Sequence, residues 1–198
     1  MQKQAFIKGT LFPDIRYLGV LKREDTHEKN LTKQDICKQK ENPFEAGRKL
    51  HGWVDELREK FAEEWKIYER LPKSVYTHRA TFLKVLEDEI IWSKLDVSSI
   101  IEALRSIESE EEKFKVKVSA LKQWHSLLSG YFKTPPAQTL STLSQDEKGF
   151  FSIPKEEVAQ WSKLIPEFKG NKEIRHYVSD LLIYFDEIFA SENCKEMS

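Results

Sequence analysis

Hydrophobic positions recur with a helical period along most of this chain. On a wheel of 100° per residue, the segment from about 44 to 70 places its large apolar side chains on one arc. The same period predicts further helices over about 75–95, 98–109, 113–132 and 173–190. No segment alternates apolar and polar residues as a half-buried strand does. The pattern predicts an all-α fold, a multi-helix bundle of about six or seven helices in one domain over residues 1–198.

Turn-forming residues divide this pattern. Pro13 and a polar run from 22 to 42 predict short helices joined by exposed loops before the first long helix. Pro72 follows that long helix and ends it. Residues 133–154 are rich in Thr, Ser, Gln and Pro, which predicts a long surface loop. Pro154 precedes two acidic residues and predicts short helical pieces after the loop.

The amino-acid composition indicates which classes of protein this chain can belong to. The chain has 198 residues, of which 33% are charged and only seven each are Gly and Pro, which is typical of a soluble helical protein. Its net charge of −1 provides no general field for nucleic acid or an anionic membrane. The N-terminal residues contain no long apolar run, which predicts neither a signal peptide nor a transmembrane helix. Cys37 and Cys194 do not suggest a disulfide framework, and we expect a cytoplasmic location.

The first long helix carries a histidine and an aspartate that could act together. His51 and Asp55 are four residues apart, so their side chains stack on one face and flank the apolar arc. They could share a hydrogen bond or supply two ligands to a metal ion, and a pair alone does not decide between these roles. His176 and Asp180 have the same spacing in the last helix, but they lie opposite its apolar stripe, where we expect solvent.

Two further polar residues lie close to apolar arcs. Glu89 is at the edge of the arc of the 75–95 helix, where a carboxylate needs either an ion pair or a metal ion. His78 lies about three turns before it. His125 lies in the middle of the arc of the 113–132 helix, which predicts a core histidine satisfied by a backbone carbonyl.

Asp14 and His27 occur in less regular sequence. Asp14 could cap a helix or turn, and His27 could be a surface histidine. Pro13, directly before Asp14, also makes a rigid presentation of that carboxylate plausible. Arg16 follows two residues later and could meet a phosphate or form a surface ion pair.

Taken together, these residues resemble the zinc-dependent bacterial phospholipase C family, which shares its helical fold with fungal single-strand nucleases. In that family a small-residue turn precedes Pro-Asp, a His follows about a dozen residues later, a helix carries His-x-x-x-Asp or a similar pair, and a later helix carries His and Glu. Here Gly9–Asp14, His27 and His51–Asp55 match the first three elements, and Glu89, with His78, loosely matches the fourth. The family usually begins with a Trp or His near the mature N-terminus and is generally exported, and neither feature is evident here.

The resemblance implies a zinc-dependent phosphodiester hydrolase. Bound zinc lowers the pKa of a water molecule to about 7, and that water attacks a phosphodiester or phospholipid substrate. By the resemblance, Asp14 is the catalytic residue that orients or deprotonates the water. The ligands of one or more zinc ions would be Asp14, His27, His51, Asp55 and Glu89.

The alternative from the sequence is a non-catalytic helical module that binds a partner protein. Five Trp and twelve Phe supply aromatic anchors, and the predicted loop at 133–154 could present some of them. The sequence contains no glycine-rich phosphate loop, no Cys/His zinc-finger spacing and no serine nucleophile motif. The lack of these motifs argues against nucleotide binding and acyl transfer.

Overall fold

Helices form nearly all the regular structure of this protein. The computed structural model describes residues 2–143 and 153–191. The α-helices are α1 (Gln2–Leu11), α2 (Arg23–Thr26), α3 (Lys33–Cys37), α4 (Pro43–Glu64), α5 (Arg79–Ile91), α6 (Val97–Ala103), α7 (Ser109–Glu112), α8 (Val118–Tyr131), α9 (Pro136–Leu143), α10 (Lys155–Lys169) and α11 (Lys172–Ser191). Short 3-10 helices cover Phe12–Leu18, Ile67–Arg70, Lys73–His78 and Trp92–Lys94. No strand occurs in these described ranges, which confirms the all-α class.

The predicted long helices are present, with shifted ends. The first one, α4, ends at Glu64 because Lys66 adopts a left-handed φ of 52°, which interrupts the helix before the 3-10 turn Ile67–Arg70. The others, α5, α6, α8 and α11, lie within or over the predicted segments. Periodicity locates the apolar face of a helix more reliably than its ends. In the part of the chain that is described, no helix is long and apolar enough to cross a membrane.

The surface loop predicted for residues 133–154 is wrong in its first part. Helix α9 occupies that segment and packs against α5 and α10. Leu140 on α9 is fully buried, and Thr139 is 6% exposed. The Thr- and Ser-rich composition suggested a loop, but burial against two neighbouring helices outweighs local propensity. The rest of the predicted loop, residues 144–152, lies outside the described residues.

The chain divides into two compact units. Unit 1 comprises the described residues of Met1–Arg58, Asp96–Ser129 and Phe189–Ser198. Unit 2 comprises the described residues of Glu59–Leu95 and Gly130–Ile188. The single domain expected from the sequence stays a prediction.

Aromatic side chains form the centre of unit 1. The ring of Phe12 lies 5.4 Å from that of Phe44 and 4.6 Å from that of Phe114, between centroids. The indole N–H of Trp124, on α8, donates a hydrogen bond to the carbonyl of Leu11 at 3.2 Å. These contacts fix the end of α1, and therefore the 3-10 helix Phe12–Leu18 that carries Asp14.

Two glycines allow α1 and α4 to touch backbone to backbone. A Cβ atom at Gly9 would lie 2.8 Å from the carbonyl carbon of Phe44, and one at Gly47 would lie 2.9 Å from the amide nitrogen of Thr10. Both distances are too short for any residue with a side chain, and the opposing atoms are backbone that cannot rotate away. The close approach brings the end of α1 beside the turn of α4 that carries His51.

Unit 2 is built around α5, α9 and α10, which contact one another. Phe82 on α5 and Trp161 on α10 are both fully buried, and their rings meet edge to face with centroids 5.4 Å apart. The hydroxyl of Tyr177 donates to Glu87 at 2.9 Å, and that of Tyr131 donates to Asp88 at 2.7 Å. The acidic residues of α5 are thus hydrogen-bonded inside their own unit.

Cys37 is disulfide-bonded, and the sequence contains Cys194 as its only other cysteine. The sequence did not suggest this bond, because separation along the chain gives no measure of separation in space.

Substitution Gly47→Ala tests the helix contact in unit 1. We expect it to lower the free energy of unfolding by about 1–3 kcal/mol, because the new methyl group must push α1 away from α4. The measurement is urea unfolding followed by circular dichroism. Gly130→Ala is the matched control: no atom lies within 4 Å of its added Cβ, so stability should stay equal or rise slightly. Equal stability of the Gly47→Ala variant and the unsubstituted protein would contradict the proposed crossing.

Candidate metal centre

Asp14, His27 and His51 converge in unit 1 from three separate segments. Asp14 lies on the 3-10 helix Phe12–Leu18, His27 directly follows α2, and His51 lies in α4. One carboxylate oxygen of Asp14 and one ring nitrogen of each histidine all lie within 4.8 Å of one another. The structure therefore brings together three of the five ligands that the sequence predicts.

The two histidines face each other through their Nε2 atoms, which are 3.2 Å apart. His51 Nδ1 lies 2.9 Å from the carbonyl of Thr10, which can only accept, so Nδ1 carries the hydrogen. The hydroxyl of Thr26 lies 2.8 Å from His27 Nδ1 and 3.3 Å from the carbonyl of Arg23, and the tautomer of His27 decides which atom donates in the first contact. The Nδ1 hydrogen of His51 leaves its Nε2 unprotonated in the neutral ring, so this atom can bind a metal ion or accept a hydrogen bond from His27 Nε2.

The 3.2 Å between the two Nε2 atoms suits either a hydrogen bond between the rings or a metal ion bound by both. Zinc–nitrogen bonds are about 2.0–2.1 Å long, and a tetrahedral angle between two of them places the nitrogens about 3.3 Å apart. The separation of the Nε2 atoms of His27 and His51 matches that value.

Asp55 lies beside the same pair of nitrogens. Its Oδ2 atom is 3.8 Å from His27 Nε2 and 3.7 Å from His51 Nε2. These distances are too long for hydrogen bonds. Two ligands of one zinc ion are at most about 4.2 Å apart, twice the bond length, so the distances suit a shared ion. The guanidinium of Arg23 also approaches Asp55 Oδ2, at 3.7 Å.

Asp14 offers a buried oxygen that accepts no hydrogen bond. Arg16 Nη2 lies 3.2 Å from Asp14 Oδ1, which is an ion pair by distance, but Oδ1 still lacks a hydrogen bond. A buried polar atom in this state is costly and calls for an explanation, such as an ion. Nitrogen and carboxylate donors together are a typical zinc ligand set, so the residues present fit this metal.

Burial holds His27 in the neutral form that a metal requires. Desolvation lowers the pKa of His27 from its usual 6.5 to about 4, and the electrostatic effects of His51 and Arg23 act in the same direction. The carboxylates of Asp14 and Asp55 oppose this shift without overcoming it. At neutral pH His27 is therefore uncharged, with one ring nitrogen unprotonated.

A cleft of about 310 Å³ borders the site on the side of His27. It is lined by Arg23, Glu24, His27, Glu28, Lys29, Gly52 and Glu56. A Cβ atom at Gly52 would come within 3.3 Å of the Glu28 carbonyl, so glycine keeps this part of the cleft open. The cleft reaches His27, whereas Asp14, His51 and Asp55 are not among its lining residues.

Glu89 belongs to unit 2 and is not in the group formed by Asp14, His27 and His51. Its carboxylate accepts hydrogen bonds from Lys169 Nζ at 2.7 Å and from the backbone N–H of Ala137, near the start of α9, at 3.0 Å. For Glu89, the sequence left open either an ion pair or a metal ion, and the structure contains the ion pair. His78, its loose companion in the sequence pattern, pairs with Glu157 at 2.9 Å.

The other two histidines, His125 and His176, lie where the sequence analysis places them. His125 Nδ1 donates to the Leu104 carbonyl at 3.1 Å inside unit 1, as expected for a core histidine, and its Nε2 contacts Glu111 at 2.7 Å. The side chains of His176 and Asp180 are 69% and 34% exposed, as expected for a solvated face.

Sequence reasoning missed three residues at the site, namely Arg23, Thr10 and Thr26. Thr10 contributes only its carbonyl, which leaves no trace in the sequence. Thr26 directly precedes His27, and Arg23 lies one helical turn before it, yet neither spacing indicates a site without the fold.

No family model, no curated protein and no solved structure matches this chain. The resemblance to zinc-dependent phospholipase C thus depends on the motifs at residues 9–55 alone.

The lowered pKa of His27 predicts how stability depends on pH without metal. Because the folded protein keeps His27 neutral while the unfolded chain protonates it below about 6.5, stability falls as the pH drops from 6.5 toward 4. The contribution of His27 amounts to about 3 kcal/mol. Urea unfolding of the chelator-treated protein between pH 7 and 4.5 measures it. A His27→Gln variant should lose less stability over this range, and identical pH profiles would contradict the prediction.

Proposed function

We propose that this chain is a zinc-dependent phosphodiester hydrolase with a fold resembling that of zinc-dependent phospholipase C. One observation carries the proposal: the Nε2 atoms of His27 and His51 face each other at 3.2 Å beside the carboxylates of Asp14 and Asp55. An imidazole pair bordered by two carboxylates is a favourable environment for a divalent cation.

The proposed ligands are His27, His51, Asp14 and Asp55. When bound, zinc lowers the pKa of a water molecule to about 7 and offsets the negative charge that develops on the phosphate. The contacts of Nδ1 with the Thr10 carbonyl in His51 and with the Thr26 hydroxyl in His27 hold the rings in orientation. Asp14 Oδ1, which accepts no hydrogen bond, can receive a proton from the attacking water, so we assign Asp14 as the general base.

The charges around the site are of both signs. Asp14 and Asp55 contribute two negative charges, and the nearby Arg16 and Arg23 contribute two positive charges. The cleft is lined by Glu24, Glu28 and Glu56 as well as by Arg23 and Lys29, so a bound divalent cation would supply the main attraction for the single negative charge of a phosphodiester. Arg23 is half-exposed and lines the cleft, so it can contact the phosphate. Arg16 is held beside Asp14 and Tyr17 and more naturally keeps an ion-pair role.

The alternative function, a non-catalytic module for a protein partner, has less support. It depended on aromatic residues as surface anchors, but Trp53, Trp124 and Trp161 are all buried. These three side chains therefore serve to build the cores of the described units, whereas Tyr76 and Phe189 are exposed. Zinc binding without hydrolysis would restore this alternative.

Metal content tests the site directly. Purified protein equilibrated with zinc and then dialysed should retain about one or more zinc ions per chain by elemental analysis. The Asp14→Ala/His51→Ala double variant should lose this metal, because it removes two of the four ligands. His176→Ala is the matched control, since His176 has the same spacing to Asp180 but lies in solvent. A metal-free unsubstituted protein would exclude the proposed function.

Hydrolysis of bis(p-nitrophenyl) phosphate tests the activity. We expect the zinc-loaded protein to release p-nitrophenol, and the release should stop when a chelator removes the metal. Asp14→Asn should reduce the rate by about 10²–10⁴-fold, because the amide cannot accept the proton from water. Its zinc content should be measured in parallel, so that loss of the base is distinguished from loss of metal. A zinc-loaded protein without activity on this diester would support the non-catalytic alternative.

A further inference from the structure

We infer that Arg48 is a positioning residue that aligns His27 with His51 for metal binding. The inference depends on the proposed function, because it concerns the affinity of the same site for zinc. Arg48 lies on α4, one turn before His51, so its backbone and that of His51 belong to the same rigid element.

The guanidinium of Arg48 holds the chain on both sides of His27. Its Nη1 donates to the carbonyl of Thr26, the residue before His27, at 2.9 Å. Its Nη2 binds the carboxylate of Glu28, the residue after His27. One side chain of α4 thus fastens the residues that flank a ligand.

Arg48 is itself held in place. Its Nε donates to Glu45, three residues earlier on the same helix, at 2.8 Å. The residue is only 8% exposed, and its guanidinium lies 5.8 Å from the ring centre of Phe114. A planar guanidinium with several fixed partners transmits the position of α4 more rigidly than a flexible ammonium could.

His27 needs such a support because its own segment has little regular structure. Helix α2 has only four residues and ends just before His27, which has an extended backbone with φ −115° and ψ 120°. No α-helix covers residues 27–32. The 3.2 Å separation between the Nε2 atoms of His27 and His51 therefore depends on contacts from α4. Glu56, also on α4, secures the segment further along by accepting from the N–H of Asn30 at 3.2 Å.

Lys49 provides a matched comparison. Its Nζ binds Glu28, the same residue that Arg48 binds, at 2.8 Å. Among the described contacts, however, the Thr26 carbonyl accepts from Arg48 and not from Lys49. Removing Lys49 deletes a positive charge and an ion pair but leaves the Thr26 hydrogen bond in place.

The experiment measures zinc affinity by competition with a chromogenic chelator for Arg48→Met, Arg48→Lys, Lys49→Met and the unsubstituted chain. Arg48→Met should weaken zinc binding by about 10- to 100-fold, the usual effect of removing a residue that orients a ligand. Arg48→Lys should restore part of the affinity, and Lys49→Met should bind like the unsubstituted protein. The visible absorption spectrum of bound Co²⁺ should change in Arg48→Met, because it reports ligand geometry and not stability. Urea unfolding of the chelator-treated variants measures stability separately.

Two failures are distinguishable. An unsubstituted protein that binds no zinc would exclude the proposed function and this inference together. An unsubstituted protein that binds zinc, with Arg48→Met equal to it in affinity and in the Co²⁺ spectrum, would exclude the role of Arg48 alone. Equal losses in Arg48→Met and Lys49→Met would also overturn the inference, since a general charge effect would then explain both. If Arg48→Met does not fold, Arg48→Lys takes its place in the comparison. Weaker zinc binding in Arg48→Lys than in Lys49→Met supports the inference, and equal binding in the two variants overturns it.

Discussion

The backbone contact between α1 and α4 is the constraint on which the candidate site depends. Gly9 and Gly47 let the two helices approach more closely than side chains permit. That approach places the Thr10 carbonyl against Nδ1 of His51 and fixes both the orientation and the tautomer of the ring. The 3-10 helix that carries Asp14 follows directly from α1, so the same crossing determines where the first carboxylate lies. The absence of side chains at two glycines thereby determines the geometry of the candidate site.

The contrast between the acidic residues of the two units supports this interpretation. On α5, three consecutive acids all have ordinary partners: Tyr177 donates to Glu87, Tyr131 donates to Asp88, and Lys169 pairs with Glu89. These groups are satisfied and need no ion. In unit 1, Asp14 keeps a buried oxygen without a hydrogen bond, and the Nε2 atoms of His27 and His51 face each other nearby. Only the second arrangement offers the mixed nitrogen and carboxylate donors from which a metal site is proposed here.

The His27 side of the site illustrates how a helix can organise an irregular segment. Short helix α2 holds His27 by one hydrogen bond, from the His27 N–H to the Arg23 carbonyl at 2.9 Å, because four residues provide barely one turn. Contacts from α4 to Thr26, Glu28 and Asn30 add further order. One long helix therefore carries one proposed ligand, His51, and also contacts the segment that carries another.

The sequence alone determined what depends on local periodicity. It predicted the all-α class, the long helices, the stacking of His51 and Asp55 on one face, and the core position of His125, since these features follow from spacing within a single helix. Tertiary structure alone decided what depends on distance between separate segments. It brought Asp14 and His27 to His51, paired Glu89 with Lys169, placed α9 where a loop was predicted, and joined Cys37 in a disulfide. The reason is physical: helical period is encoded over a few neighbouring residues, whereas convergence of ligands depends on how closely two helices can pack, which here two glycines decide.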